Sequence, residues 1–251
     1  MVYLKVYRNR YQLGRYDVCM AAGNKGDQVY EQLRQDILNG VLSPGQSLSA
    51  IDVGTRFSAS RTPVRQAFLR LEGEGLVTLI DRQGARVSPI SIKSVRDLFE
   101  LRILLESAAT RMVAEAVAQD AAVRGQFEDV TAGFETIAEE EPSEARRDRF
   151  YALAERYDQA VITHTRNAQL ARSIADLRPH TERLRNIAHS RPDRMDVSLS
   201  EHLSICRAIL AGDGAAAAEA CTEHLAQTQK TILDAVINPQ GSALAIDLVT
   251  A

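Results

Sequence analysis

The residues best placed to do chemistry in this sequence are two histidines that each follow a glutamate, Glu201-His202 and Glu223-His224. They lie on two successive stretches of helical pattern, about 198–211 and 215–236, joined by Gly212-Asp213-Gly214. Each is about ten residues from that turn, and residues equidistant from a short loop between antiparallel helices stand side by side. The spacing therefore predicts two facing imidazoles. Two neutral imidazoles plus a carboxylate can hold a first-row divalent ion. The same residues also read as two unrelated histidines on amphipathic helices. The remaining histidines, His164, His180 and His189, carry less, and His180 with Arg183 is expected on a solvated helix face.

A second cluster is cationic. Val64, Ala67, Phe68 and Leu71 recur at i, i+3, i+4 and i+7, the buried stripe of a helix, whereas Arg61, Thr62 and Arg65 fall on another face at its start. In a helix-turn-helix, the N-terminal residues of the second motif helix reach base edges in the major groove. Arg can fork onto guanine, and Thr can meet a base or a phosphate. Arg82 and Arg86 flank a hairpin turn with Gly84 placed at its tip, a shape that suits a minor groove or a phosphate backbone. The plain alternative is a set of surface arginines on a small helical domain.

The elements that must position these groups are legible from periodicity and punctuation. Val29, Leu33, Ile37 and Val41 predict a helix over 27–42, closed by Asn39-Gly40 and Ser43-Pro44-Gly45. A second helix is expected at 49–57. Ser60 should cap a third, with Pro63 in its first turn. Leu76–Ile80, a turn at 81–84 and Ala85–Ser88 form a hairpin. After the linker Pro89–Ser91 the pattern is helical at about 92–118, 121–140, 144–165, 168–189, 198–211 and 215–236, with breaks at Pro142, Asn167, Pro192 and Gly212–Gly214. The fold class is mainly α: a winged helix-turn-helix over 27–89 and an all-α bundle of six or seven helices over 92–236, with a tail at 237–251.

Composition narrows the choice. The chain has 251 residues, 45% hydrophobic and 25% charged, which excludes disordered, collagen-like and disulfide-scaffold classes. No apolar run reaches the roughly 18 residues of a membrane span. Three cysteines without CxxC spacing suit a reducing cytoplasm. The net charge of −3 looks unfavourable for DNA, but it is unevenly spread. Residues 1–26 carry +4, residues 27–90 balance seven Arg with seven acids, and the rest carries −7. The 1–26 stretch, with four of the seven Tyr, reads as an extension: a poorly ordered arm, a segment packed on a partner, or an upstream start.

Val29–Val87 resembles the DNA-binding domain of the GntR family of bacterial transcription regulators, through YEQLRQDILNGVLSPGQSL, SRTPVRQAFLRLEGEGLV and DRQGARV. The resemblance implies that Arg61, Thr62 and Arg65 are the main DNA contacts, with Gly84 and its neighbours on the wing. An often basic position in the second helix falls near Ile51, and Arg56 is the residue that could compensate.

The C-terminal part is similar to the FCD effector domain of the FadR subfamily, through DLFELRILLESAA, RYDQAVITHTRNAQL and SEHLSICRAILAGDGAAAAEACTEHL. Many such domains hold a divalent metal through an Asp-x3-His pair and one His on each of the last two helices. His202 and His224 match the latter. The first pair does not: registered on Asn167 it falls on Ala154 and Asp158, and shifted by four on Asp158 and Ile162, so one ligand is lost. Asp158, His202 and His224 could hold Zn²⁺ or a similar ion with an acid effector completing the shell, or the pocket could work without metal. Arg102 reads as an i,i+4 salt bridge with Glu106; the resemblance places it beside the pocket, facing an effector carboxylate.

The implied protein is not an enzyme but a repressor, a cytoplasmic homodimer on a palindromic double-stranded operator. It would be released or recruited by a small organic acid bound through Arg102, Asp158, His202 and His224, with Pro89–Ser91 and the first long helix transmitting the signal. No membrane partner is implied. The rivals are a metal-dependent hydrolase-like enzyme using Asp158, His202 and His224, and an architectural DNA binder without effector.

Overall fold

In the computed structural model, residues 24–81, 83–188 and 193–237 are described. The 1–23 stretch, Arg82, His189 and the tail from 238 lie outside them. Helix α1 runs Lys25–Leu38 and starts two residues earlier than the pattern suggests, because Asn24 caps it by accepting the Gly26 N–H at 3.3 Å. It also stops earlier. Asn39 is its C-cap and Gly40 has φ 74°, so Val41 falls beyond the helix and is 66% exposed. The four-residue spacing extended one step too far.

Helix α2 is Ala50–Phe57, with the Ser49 hydroxyl accepting from the Ile51 and Asp52 N–H groups. Ser58 turns the chain in the left-handed region (φ 49°), and α3 follows at Arg61–Gly73. Ser60 occupies the N-cap position of α3, but its side chain makes no capping bond. Strands β1 (Ser47–Leu48), β2 (Val77–Ile80) and β3 (Gly84–Val87) form an antiparallel sheet in the order β1-β3-β2. Leu33, Ile37, Phe68, Leu71 and Leu76 close the core of this first domain. The two-residue β1 has no sequence signature of its own; it exists as the partner that β3 requires on its other edge.

The second domain holds α4 (Ile92–Ala116), α5 (Ala121–Ala138), α6 (Glu144–His164), α7 (Ala168–Ala188), α8 (Asp193–Leu210) and α9 (Gly214–Ile237). Ser91 and Ser94 form a reciprocal capping box at the start of α4, while Asp120 and Ser143 cap α5 and α6. Phe99, Phe127, Phe134, Ile205 and Ile209 are fully buried at the centre of the bundle. Gly212, at φ 74°, lets α8 reverse into α9. Among the described residues no helix is long and apolar enough to cross a membrane.

The two domains meet along α7. The Arg183 guanidinium donates to the Ser88 carbonyl at 2.6 Å, just past the end of β3. His180 lies against Gly75, whose φ of 69° suits glycine, and an added Cβ there would stand 3.1 Å from the imidazole. The expected solvated face for His180 and Arg183 is thus a buried seam. Burial is also what pulls the Arg183 guanidinium down, to about 10, which leaves it charged at neutral pH. His180 is lowered by burial and then by Arg183, against a bond to the Glu74 backbone.

Candidate effector pocket and reading head

The stripe Val64, Ala67, Phe68 and Leu71 faces the core, and Arg61, Thr62 and Arg65 stand exposed at the first turn of α3. Neither arginine makes an ion pair among the described residues, so both remain available to an external anion. Arg86 is exposed on β3; Arg82 lies outside the described residues.

Two residues of this cluster sit differently from expectation. Arg56 stays half exposed but is paired, with Nη2 2.7 Å from Asp36 Oδ2 and its guanidinium carbon 4.9 Å from the Phe57 ring centroid. Asp36 is almost fully buried and needs a cation, so Arg56 fastens α2 to α1. Gly84 is not the tip of the hairpin. It is the first residue of β3, paired with Ile80. Its φ is +118° and an added Cβ would lie 2.1 Å from the Leu48 carbonyl oxygen. Glycine is required here so that β1 can approach β3.

In the second domain, Arg102, Asp158, His202 and His224 all line one cavity of about 80 Å³, walled by α4, α6, α7, α8 and α9. The two imidazoles meet as the loop symmetry predicts, with centroids 4.5 Å apart at 67°. His202 is packed among Phe134, Phe150 and Tyr157. Its Nδ1 lies 2.7 Å from the Ser198 carbonyl, which can only accept, so Nδ1 carries the proton. His224 Nδ1 is 2.6 Å from Glu201 Oε2, which fixes the same tautomer.

The carboxylates of the site are engaged. Asp158 Oδ2 is 3.0 Å from Arg178 Nη1, and Arg178 also bonds Glu155. Arg102 spans Glu106 with Nε (2.7 Å) and Nη2 (3.2 Å) while still facing the cavity. Burial works against the Arg102 charge, but Glu106 and then Asp158 outweigh it and hold its pKa above the ordinary value. Glu201 accepts from both His224 and Arg194; burial pushes its carboxyl up, and these two donors outweigh that and hold it below its usual range.

Arg194 was missed by the sequence reading. Pro192 suggested a loop as far as 197, whereas α8 already begins at Asp193. The available signal was spacing: Arg194, Ser198 and Glu201-His202 repeat every three to four residues, the same stripe continued one turn back.

These residues do not fit a resident divalent metal. Asp158 is turned to Arg178, Ala154 supplies no donor, and two guanidiniums face the cavity. Among the described residues no group of three or more His, Cys, Asp and Glu is placed to hold a metal ion. Two imidazoles fall short of the three protein ligands of an open zinc site. The arrangement suits an anion.

Residues 97–227 match the FCD domain family, and residues 25–87 match the bacterial regulatory proteins of the gntR family. The chain belongs to the GntR family and carries an FCD domain. It is therefore a DNA-binding transcription regulator. It is 29% identical to the HTH-type transcriptional repressor RspR of Escherichia coli over 82% of this chain and 87% of that protein. It is 28% identical to the probable D-xylose utilization operon transcriptional repressor of Paenarthrobacter nicotinovorans, over 79% of this chain and 84% of that one. Among solved structures, E. coli McbR/YncC aligns with a TM-score of 0.65 at 16% identity, covering 84% of this chain and 97% of that chain, a likeness of fold.

Proposed function

We propose that this chain is a repressor of the FadR-type group whose operator affinity is set by a small organic acid held in the cavity of the FCD domain. The observation that carries the reading is that a cation-lined cavity lies in the same bundle whose helix α7 grips the reading head. Arg178 and Thr181 of α7 line cavity space, while His180 and Arg183, a residue or two along, meet the head at Gly75 and Ser88. Filling the cavity acts on the same helix that sets the head's position, and α7 joins the linker and α4 as a transmission element.

One reading head covers one half-site, so a homodimer on a palindromic operator is the matching assembly. Arg61, Thr62, Arg65 and Arg86 are the proposed DNA contacts. Arg102, His202 and His224 face the acid, and Asp158 orients Arg178. The names of the relatives above support repression as the direction. The metal-dependent enzyme reading is not favoured, since its three proposed ligands do not assemble as a metal site.

The test is fluorescence anisotropy on a labelled duplex from the DNA upstream of the protein's own coding region, with and without short carboxylic acids. A coupling of about 2–3 kcal/mol moves half-saturation by some 30- to 150-fold. Operator affinity that no acid alters would remove the effector from this account.

A further inference from the structure

We propose that Arg194 is the anchor of the cavity and takes the carboxylate of a small acid directly, without a metal. The inference rests on the acid-effector reading above and deepens it.

Among the described residues, Arg194 is the cavity-lining cation with a buried nitrogen left without a partner. Its Nη2 donates to Glu201 Oε2 at 2.7 Å and to Thr228 Oγ1 at 2.9 Å. Its Nη1 is buried and, among the described residues, has no acceptor. The side chain is only 10% exposed and lines the cavity. A buried charged donor without an acceptor is costly, and a carboxylate is the acceptor that satisfies a guanidinium best. Arg102 and Arg178 also bond protein carboxylates, Arg102 on Glu106 and Arg178 on Asp158 and Glu155, but of the three guanidiniums Arg194 is the one with a buried nitrogen left over among the described residues. Glu201 is shared between Arg194 and His224, so it aligns both without saturating either. Glu201 is thus a positioning residue.

Size and lining define the ligand class. At about 10–15 Å³ per water-sized group, a cavity of about 80 Å³ takes roughly six non-hydrogen atoms. Phe99, Phe150 and Ile232 supply an apolar wall, which suits the carbon stem of a carboxylic acid better than inorganic phosphate.

The test uses the full-length protein freed of metal with a chelator. Binding of acetate, propionate, butyrate and succinate, with inorganic phosphate alongside, is measured by calorimetry, then repeated with added Zn²⁺. The expected result is that a short carboxylate binds the metal-free protein, phosphate binds weaker, and Arg194→Gln weakens the carboxylate about 10- to 100-fold. Arg194→Lys keeps a cation without the fork; it guards against a folding defect in Arg194→Gln and should weaken binding by a smaller factor. Binding that appears only with Zn²⁺ overturns metal independence and leaves the acid-effector reading standing. Unchanged affinity in both variants overturns Arg194 as anchor, and tighter phosphate binding overturns the carboxylate class. If no acid binds under either condition, the acid-effector reading falls and this inference falls with it.

Discussion

Gly84→Ala is the sharpest test of how the reading head is built. The new methyl would stand 2.1 Å from the Leu48 carbonyl oxygen, 3.1 Å from the Ala50 nitrogen and 3.2 Å from the Leu48 carbonyl carbon, all backbone atoms that no rotamer change can move. Holding a non-glycine residue at φ +118° costs about 1–3 kcal/mol. Relief requires β1 to leave β3, which gives up the Ser47–Arg86 and Leu48–Ala85 pairing and the bonds beside it, at about 1 kcal/mol per hydrogen bond, or about 2–4 kcal/mol. The sum, about 3–7 kcal/mol, is as large as the whole stability of a domain of about 65 residues, about 3–10 kcal/mol. Calorimetry should show the head's transition lowered by about 12 °C or more while the bundle's transition stays in place. Operator binding should be lost with it. Gly125→Ala is the control: nothing lies within 4 Å of its Cβ, and the change in mid-helix should stabilise the bundle by about 0.5–1 kcal/mol. A Gly84→Ala protein whose head melts within about 4 °C of the parent and binds operator normally would refute the argument.

Other expectations follow from the same geometry. Arg61→Ala and Arg65→Ala should each cost about 1–3 kcal/mol at the operator with little change in melting, and parental affinity at matched salt for both would remove them from the interface. Arg56→Ala should do the reverse, destabilising the head by about 1–2 kcal/mol through the stranded Asp36 while operator affinity per folded molecule holds; denaturant titration and anisotropy together separate the two. For pH, the folded state disfavours protonated His180, whose pKa lies below 6.5, and His164, which bonds Gln126, is lowered too, mainly by burial. Below 6.5 the unfolded chain takes up protons that the folded chain refuses, so stability falls as pH drops through that value and levels off once the lowered pKa is passed. His180→Gln should flatten part of this slope between pH 7.5 and 5, and an identical slope would show that the seam does not titrate there.

Much of the architecture was readable because the punctuation is strong. Pro142, Asn167 and Gly212–Gly214 separate helices whose observed limits lie close to those expected, and the loop symmetry that set His202 against His224 is a purely local argument. What was not readable depends on distant partners. Asp158 was available as a ligand in the sequence, and only folding delivers it to Arg178 on the next helix. Arg56 reads as a DNA contact in the sequence, which gives no sign that Asp36, 20 positions back, pairs with it. Gly84 looked like a turn glycine because its true neighbour, Leu48, sits on a strand too short to leave a pattern. Arg194 was hidden by the assumption that a helix resumes well after a proline, when proline readily stands at a helix start.

Helix α7 has a mechanical consequence. At 100° per residue, Arg178 and Thr181 lie on nearly the opposite side of its axis from His180 and Arg183, so the helix is a single wall shared by two rooms. Pro179 stands within this stretch, where its ring removes one rung of the backbone ladder. The wall is therefore softest level with the cavity on one side and the head on the other. The latch on the head side is also shallow. The bond from Arg183 to Ser88 is set against the lost hydration of a buried guanidinium, which offsets part of what the contact contributes. With the cavity on one side of this wall and the latch on the other, a push from one room is felt in the other.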